Sequence, residues 1–211
     1  IIAARRPDLT GRLARYMVSA RDLQLPPSVM LAAKHRLLDT LSAIVSGARL
    51  KPGEVAIEYV RQQAGIPEAS VTTTDIMTSA VNAALANAMS AHADETDDFH
   101  PFTKAHPGCS VVPAALAMAE REGSSGDELL KSIVLGYDLS CRFLVALRPA
   151  LVRAKHRSAE GYSSTFGATA AAASLARFDE TQMRYALSYA VQQVSGVWSW
   201  VRDVEHIEKA F

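Results

Sequence analysis

Residues 92–108, HADETDDFHPFTKAHPG, gather three of the chain's six histidines, four acids and two prolines into one short run. Imidazoles titrate near neutral pH, and carboxylates beside them orient the rings, so the run has the parts of a general acid–base site. Pro101 and Pro107 forbid helix continuation and hold a fixed loop. His106 stands just ahead of the next helical stretch, whose first backbone amides favour an anionic group such as a carboxylate. The same residues also fit a solvated connector between two helices. A metal centre is a third reading, but the run holds no His-x-x-x-His or His-x-His pair, and no metal is expected. Pattern alone leaves connector and proton-transfer wall both open.

The elements that must position this run read as helices. Alanine dominates and β-branched runs are short. Residues 26–48 open with Pro26 and Pro27 and place Met30, Ala33, Leu37, Leu41 and Ile44 on one stripe. Residues 75–93 are apolar nearly all round, as a central buried helix is. Residues 110–123 end on Gly123, a C-terminal cap. Residues 124–147 begin with a capping box of Ser125 and Glu128. Residues 163–178 and 179–198 form a further pair, the second capped by Asp179 with Gln182 three positions on. Small residues at close spacing, Ala83, Ala84, Ala86 and Ala88 in one helix and Ala168, Ala170, Ala171 and Ala172 in another, allow close helix approach. The only extended candidate, 69–74, is too short to found a sheet. The expected fold is all-α, one multi-helix, bundle-like domain over residues 1–211.

Composition excludes several functions. Hydrophobic residues make up 49% and charged ones 21%, and a formal net charge of +0 gives no basic excess for nucleic acid. No apolar run approaches the roughly 20 residues that span a bilayer, and the first residues lack a signal-peptide pattern. Cys109 and Cys141 have neither metal-ligand nor redox spacing, which favours a reducing, cytoplasmic setting. The chain starts without Met and stops at HIEKAF within a helical pattern, so a fragment of a longer polypeptide is expected.

The ordered set HADETDDFHP, HPG, the alanine-rich helix ending AEREG, GYSSTFGATAAAASLARF and EHIEKAF resembles the MmgE/PrpD family. That family includes 2-methylcitrate dehydratase, cis-aconitate decarboxylase and iminodisuccinate epimerase. Each motif alone is weak, while the order is specific. The resemblance implies the N-terminal helical domain of a longer protein whose smaller α+β lid domain lies outside these residues. It implies a cofactor-free and metal-independent lyase, a homodimer, acting on a small di- or tricarboxylate by way of a carbanion next to a carboxylate. Such a site needs a base and cations that stabilise the enolate-like charge. Carried over by position, His106, Lys209, Glu95, Asp98 and His156 are the expected catalytic residues, and Asp97, His100 and Lys104 the expected substrate-binding ones.

Three departures from the family pattern matter. Glu95 is one methylene longer than the usual Asp. Phe99 stands where some members carry Thr, which argues against cis-aconitate as the substrate. His156 lies eleven residues before Gly167, farther than the usual spacing, so either the loop carries an insertion or Ser158 takes that place. His35, His206, Trp198, Trp200 and Cys109 are read as structural.

Overall fold

The computed structural model describes residues 8–198 and 202; Lys209, His206 and Trp200 lie outside the described residues. The helices are α1 (Leu9–Ala20), α2 (Pro27–Gly47), α3 (Lys51–Gln63), α4 (Ala80–His92), α5 (Gly108–Glu122), α6 (Gly126–Leu147), α7 (Pro149–Arg153), α8 (Ala159–Leu175) and α9 (Glu180–Gln193). The fold is all-α, as composition led us to expect. Its only sheet among the described residues pairs two antiparallel two-residue strands, β1 (Ala69–Ser70) and β2 (Met77–Thr78). None of the described helices is long and apolar enough to cross a membrane.

Local chemistry sets the helix ends. Ser125 and Glu128 form the expected capping box at the start of α6, and Asp179 and Gln182 form another at α9. Gly123 closes α5 at φ 62°, a left-handed conformation that glycine adopts without a Cβ penalty. The Ser124 amide then reaches back to the Ala119 carbonyl at 2.9 Å. Three helices depart from the expected bounds, α8 among them, running Ala159–Leu175 rather than 163–178. Helix α4 begins at Ala80 rather than residue 75, because Met77 and Thr78 pair with β1 while the Ser79 side chain caps the helix at Asn82. Helix α9 ends at Gln193, short of residue 198. Helices α1 and α3 occupy stretches to which the sequence assigned no element.

The core is built from small residues in layers. Helix α5 packs between α4 and α8, and α8 lies along α6. Val111, Val112, Ile133 and Ala171 fill the α5–α6–α8 junction, while Met17, Leu139, Phe166 and Met183 fill the junction of α1, α6, α8 and α9. The α6–α8 crossing is tight enough that a Cβ on Gly167 would stand 2.8 Å from the Gly136 carbonyl oxygen and 2.8 Å from Ser140 Cβ. Backbone contact of this kind cannot relax by a rotamer change. This sheet of close-packed helices fixes where α4 ends and α5 begins, the two points that carry the site.

Gly167→Ala should therefore cost about 1–3 kcal/mol of stability, read as a lowered urea midpoint. A variant as stable as wild type would show that the crossing has room to spare.

Candidate active site

Helix α4 ends on His92, and α5 starts on Gly108. The loop between them folds back on itself. Asp94 accepts from the Thr96 amide at 3.2 Å and from its hydroxyl at 2.7 Å, and it also receives the Ser46 hydroxyl of α2. Glu95 turns the chain at φ 56°. Beyond it Asp97 and Asp98 are consecutive in non-helical backbone, so their side chains leave in different directions.

Asp97 points inward. Its side chain has 0% exposure, and its carboxylate meets His92 Nδ1 at 3.0 and 3.1 Å and His106 Nδ1 at 3.4 Å. The two imidazole rings stand 5.1 Å apart, edge to face at 66°. Desolvation by burial pushes the Asp97 carboxyl up, but hydrogen bonds from His106 and His92, together with their charge, outweigh it and hold the group well below the ordinary carboxylate range. Asp98 faces the other way. It accepts the Gly108 amide at 2.8 Å and lies 4.0 Å from Arg36. Burial raises its carboxyl, opposed by the Tyr137 hydroxyl and that amide. A Cβ on Gly108 would sit 2.6 to 2.8 Å from Thr40 Oγ1, Asp98 Oδ1 and Tyr137 Oη, so only glycine fits where these groups converge. Asp98 thus anchors the start of α5, which in turn places His106.

His92 and His106 open onto a cavity of about 1020 Å³. Leu85, Met89 and Phe99 give it an apolar flank; the Phe99 ring lies 5.5 Å from His106 and carries Lys104 Nζ at 5.1 Å on its face. Across the cavity stand Arg153, Ser158, Glu160, Ser164 and Thr165 from α7, α8 and the N-cap between them. Arg153 pairs with Glu160 and donates to the Thr103 carbonyl at 3.0 Å, which clamps the turn bearing Lys104. Trp198 lines the far edge. Burial pushes the Cys109 thiol well above its ordinary value, which leaves it a poor nucleophile on this wall.

The residues expected from sequence are placed as follows. His106 and Lys104 line the cavity, and Asp97 stands directly behind His106. Asp98 is turned toward α2 and α6. His100 is spent within its own loop, bonding Thr103 Oγ1 at 2.7 Å through Nδ1 and Ala105 through its backbone. Glu95 and His156 are exposed and do not line the cavity, whereas Ser158 does. Lys209 lies outside the described residues. Three cavity groups had no assigned role: His92, which stands in the singled-out run but at a helix end, and Arg153 and Glu160, because no local pattern marks an ion pair across seven residues. Ligand atoms of His92, Asp97 and His106 also lie within 4.8 Å of one another, close enough for one metal ion. No spacing in the sequence reveals that set, since its members come from α4, the loop and the residue before Pro107.

Removing the buried charge should cost about 3 kcal/mol, so Asp97→Asn should lose that stability at pH 7. The sign with pH follows from the lowered carboxyl: its contribution is complete above the unfolded value near 3.9 and fades as pH falls toward the folded one. The wild-type advantage in urea midpoint should be smaller at pH 3 than at pH 7, and an advantage that stays constant would contradict the charge pairing.

Comparison with known proteins follows the same residues. The family model for the MmgE/PrpD N-terminal domain matches residues 11–210. The chain is also 25% identical over 218 residues to the cis-aconitate decarboxylase-like protein oryM of Aspergillus oryzae. That alignment covers 94% of this chain and 44% of the fungal protein, so the chain spans less than half the length of that relative. The family match takes in the end of α4, the His106 turn and every helix from α2 to α9, and on that ground the chain belongs to the MmgE/PrpD family.

Proposed function

We propose that this domain carries the acid–base wall of a metal-independent lyase that moves a proton next to a carboxylate on a small di- or tricarboxylate, in the manner of 2-methylcitrate dehydratase. The observation that carries the reading is the pair of imidazoles on one buried carboxylate, facing a cavity of about 1020 Å³. A proton on carbon beside a carboxylate is weakly acidic, so its removal needs a positioned base and stabilisation of the charge left behind. His106 is the base. Asp97 orients its ring and stabilises the imidazolium it becomes. Lys104 and Arg153 are the cations for the substrate's carboxylates, with the Ser164 and Thr165 hydroxyls beside them. The Leu85, Met89 and Phe99 flank suits a substrate that carries a methyl group.

Metal independence is part of the same proposal. Asp97 already meets both Nδ1 atoms, so an ion among the three would have to displace both contacts. Glu95, Asp98, His100 and His156 are not on this cavity wall, and Lys209, outside the described residues, keeps its proposed role as a site cation. Cys109 and Cys141 are unpaired thiols, which fits the proposed cytoplasmic setting; two copies per assembly belong to the same proposal. Decarboxylation is the second reading, favoured by the name of the Aspergillus relative. Both reactions pass through charge developed next to a carboxylate.

The test is a screen of the full-length protein with 2-methylcitrate, citrate and cis-aconitate, following alkene absorbance and carbon dioxide release. Water elimination from 2-methylcitrate should survive a chelator and fall about 10²-fold or more in His106→Ala. Carbon dioxide release without elimination supports the decarboxylase reading. No turnover of any acid, with unaltered ligand binding in His106→Ala, would mean a helical interaction module that has lost the chemistry.

A further inference from the structure

Glu160 is the odd charge on this wall, a carboxylate lining a cavity whose ligand is read as an anion. It stands in the first turn of α8, and its Oε1 accepts from Arg153 Nε at 3.1 Å and also from Arg153 Nη2. Its Oε2 meets the Ser158 hydroxyl at 3.3 Å. Arg153 Nη2 donates a further bond to the Thr103 carbonyl at 3.0 Å. That carbonyl belongs to the peptide unit joining Thr103 to Lys104, and the N–H of the same unit donates to the His100 carbonyl at 2.9 Å. Both edges of one peptide plane are therefore held. Lys104 leaves that plane at φ 66°, a left-handed conformation that a residue with a Cβ keeps only where its surroundings fix it. Its ammonium then lies over the Phe99 ring, 5.1 Å from the centroid. Helix α7, which carries Arg153, buries none of its residues, so packing does not aim the guanidinium. Helix α8 is packed along α6, and the ion pair with Glu160 extends that rigidity to Arg153.

We propose that Glu160 is a positioning residue that couples Arg153 and Lys104 into one clamp for two carboxylates of the same acid. The proposal rests on the proposed function, which gives these two cations the substrate's carboxylates, and deepens it. A guanidinium is a planar fork, so fixing Nε and Nη2 also fixes the direction of Nη1. Arg153 meets one carboxylate with Nη1, and through the Thr103 carbonyl it sets where Lys104 meets another. Holding both cations before the ligand arrives spares the cost of ordering two long side chains on binding. Charge alone argues the opposite effect for Glu160, since an anion on the wall repels an anionic ligand. The sign of the Glu160 effect on binding therefore separates positioning from simple charge.

The test is calorimetric binding of tricarballylate, a tricarboxylate with no hydroxyl to eliminate, to the full-length protein and its variants. Glu160→Ala should bind it about 10-fold more weakly. Glu160→Gln keeps an oxygen for Arg153 and a polar partner for Ser158, and should stay within about 3-fold of wild type. Lys104→Ala should also weaken binding, and adding Glu160→Ala to it should cost less than the product of the two single losses. Arg153→Lys keeps the charge without the fork and should weaken binding as Glu160→Ala does, so it carries the test if the alanine variant does not fold. Unchanged or tighter binding in a folded Glu160→Ala, wild-type binding in Arg153→Lys, or losses that simply multiply in the double variant would overturn the clamp. So would a wild-type protein that binds no tricarballylate. The lyase reading fails separately, when tricarballylate binds but no acid is turned over, and the binding ratios then still decide the clamp.

Discussion

A carboxylate with no exposure to water, placed between two imidazoles, is the constraint around which the rest of this domain is arranged. Burying Asp97 without partners would cost several kcal/mol or drive it to the neutral form. The chain avoids that by bringing His92 from the end of α4 and His106 from the turn before α5 to the same oxygens. Helix packing supplies the approach. The small-residue layers of α4, α5, α6 and α8 hold the two helix termini in register, and a glycine at 108 lets the start of α5 close over Thr40, Asp98 and Tyr137.

The two neighbouring acids divide the work by direction. Asp97 faces the imidazoles and stays ionised; Asp98 faces a backbone amide, a tyrosine and an arginine, and its burial favours the protonated form. One holds the rings, the other holds the helix that positions one of them. The cavity then adds a cation on each side, Lys104 over the Phe99 ring of the apolar flank and Arg153 on the facing wall, with the Arg153–Glu160 pair tying that wall to the turn that carries Lys104. The proposed chemistry calls for such a distribution: charge for carboxylates, an apolar surface for carbon, and a positioned imidazole where a proton is moved.

Much of the scaffold was legible before any coordinates. Ser125 with Glu128, Asp179 with Gln182, and Gly123 mark helix ends through hydrogen bonds made within a few residues, so sequence carries them. The start of α4 was not legible, because the pairing of Met77 and Thr78 with β1 depends on contacts made across the intervening turn. The site was legible in kind but not in detail. His106 and Asp97 could be placed from the ordered motifs, yet nothing local says which of two adjacent acids turns inward, or that His100 bonds its own loop. His92 stood in the same run without an assigned role for the same reason: its partner lies beyond a helix end, where periodicity stops.

The most direct test of this arrangement is a crystal structure of the full-length protein with a bound tricarboxylate that it cannot turn over. The account predicts a carbon of the ligand at about 3–3.5 Å from His106 Nε2, with a carboxylate on Lys104 or Arg153 and both imidazoles still on Asp97. A ligand seated elsewhere, with neither imidazole in contact, would contradict it.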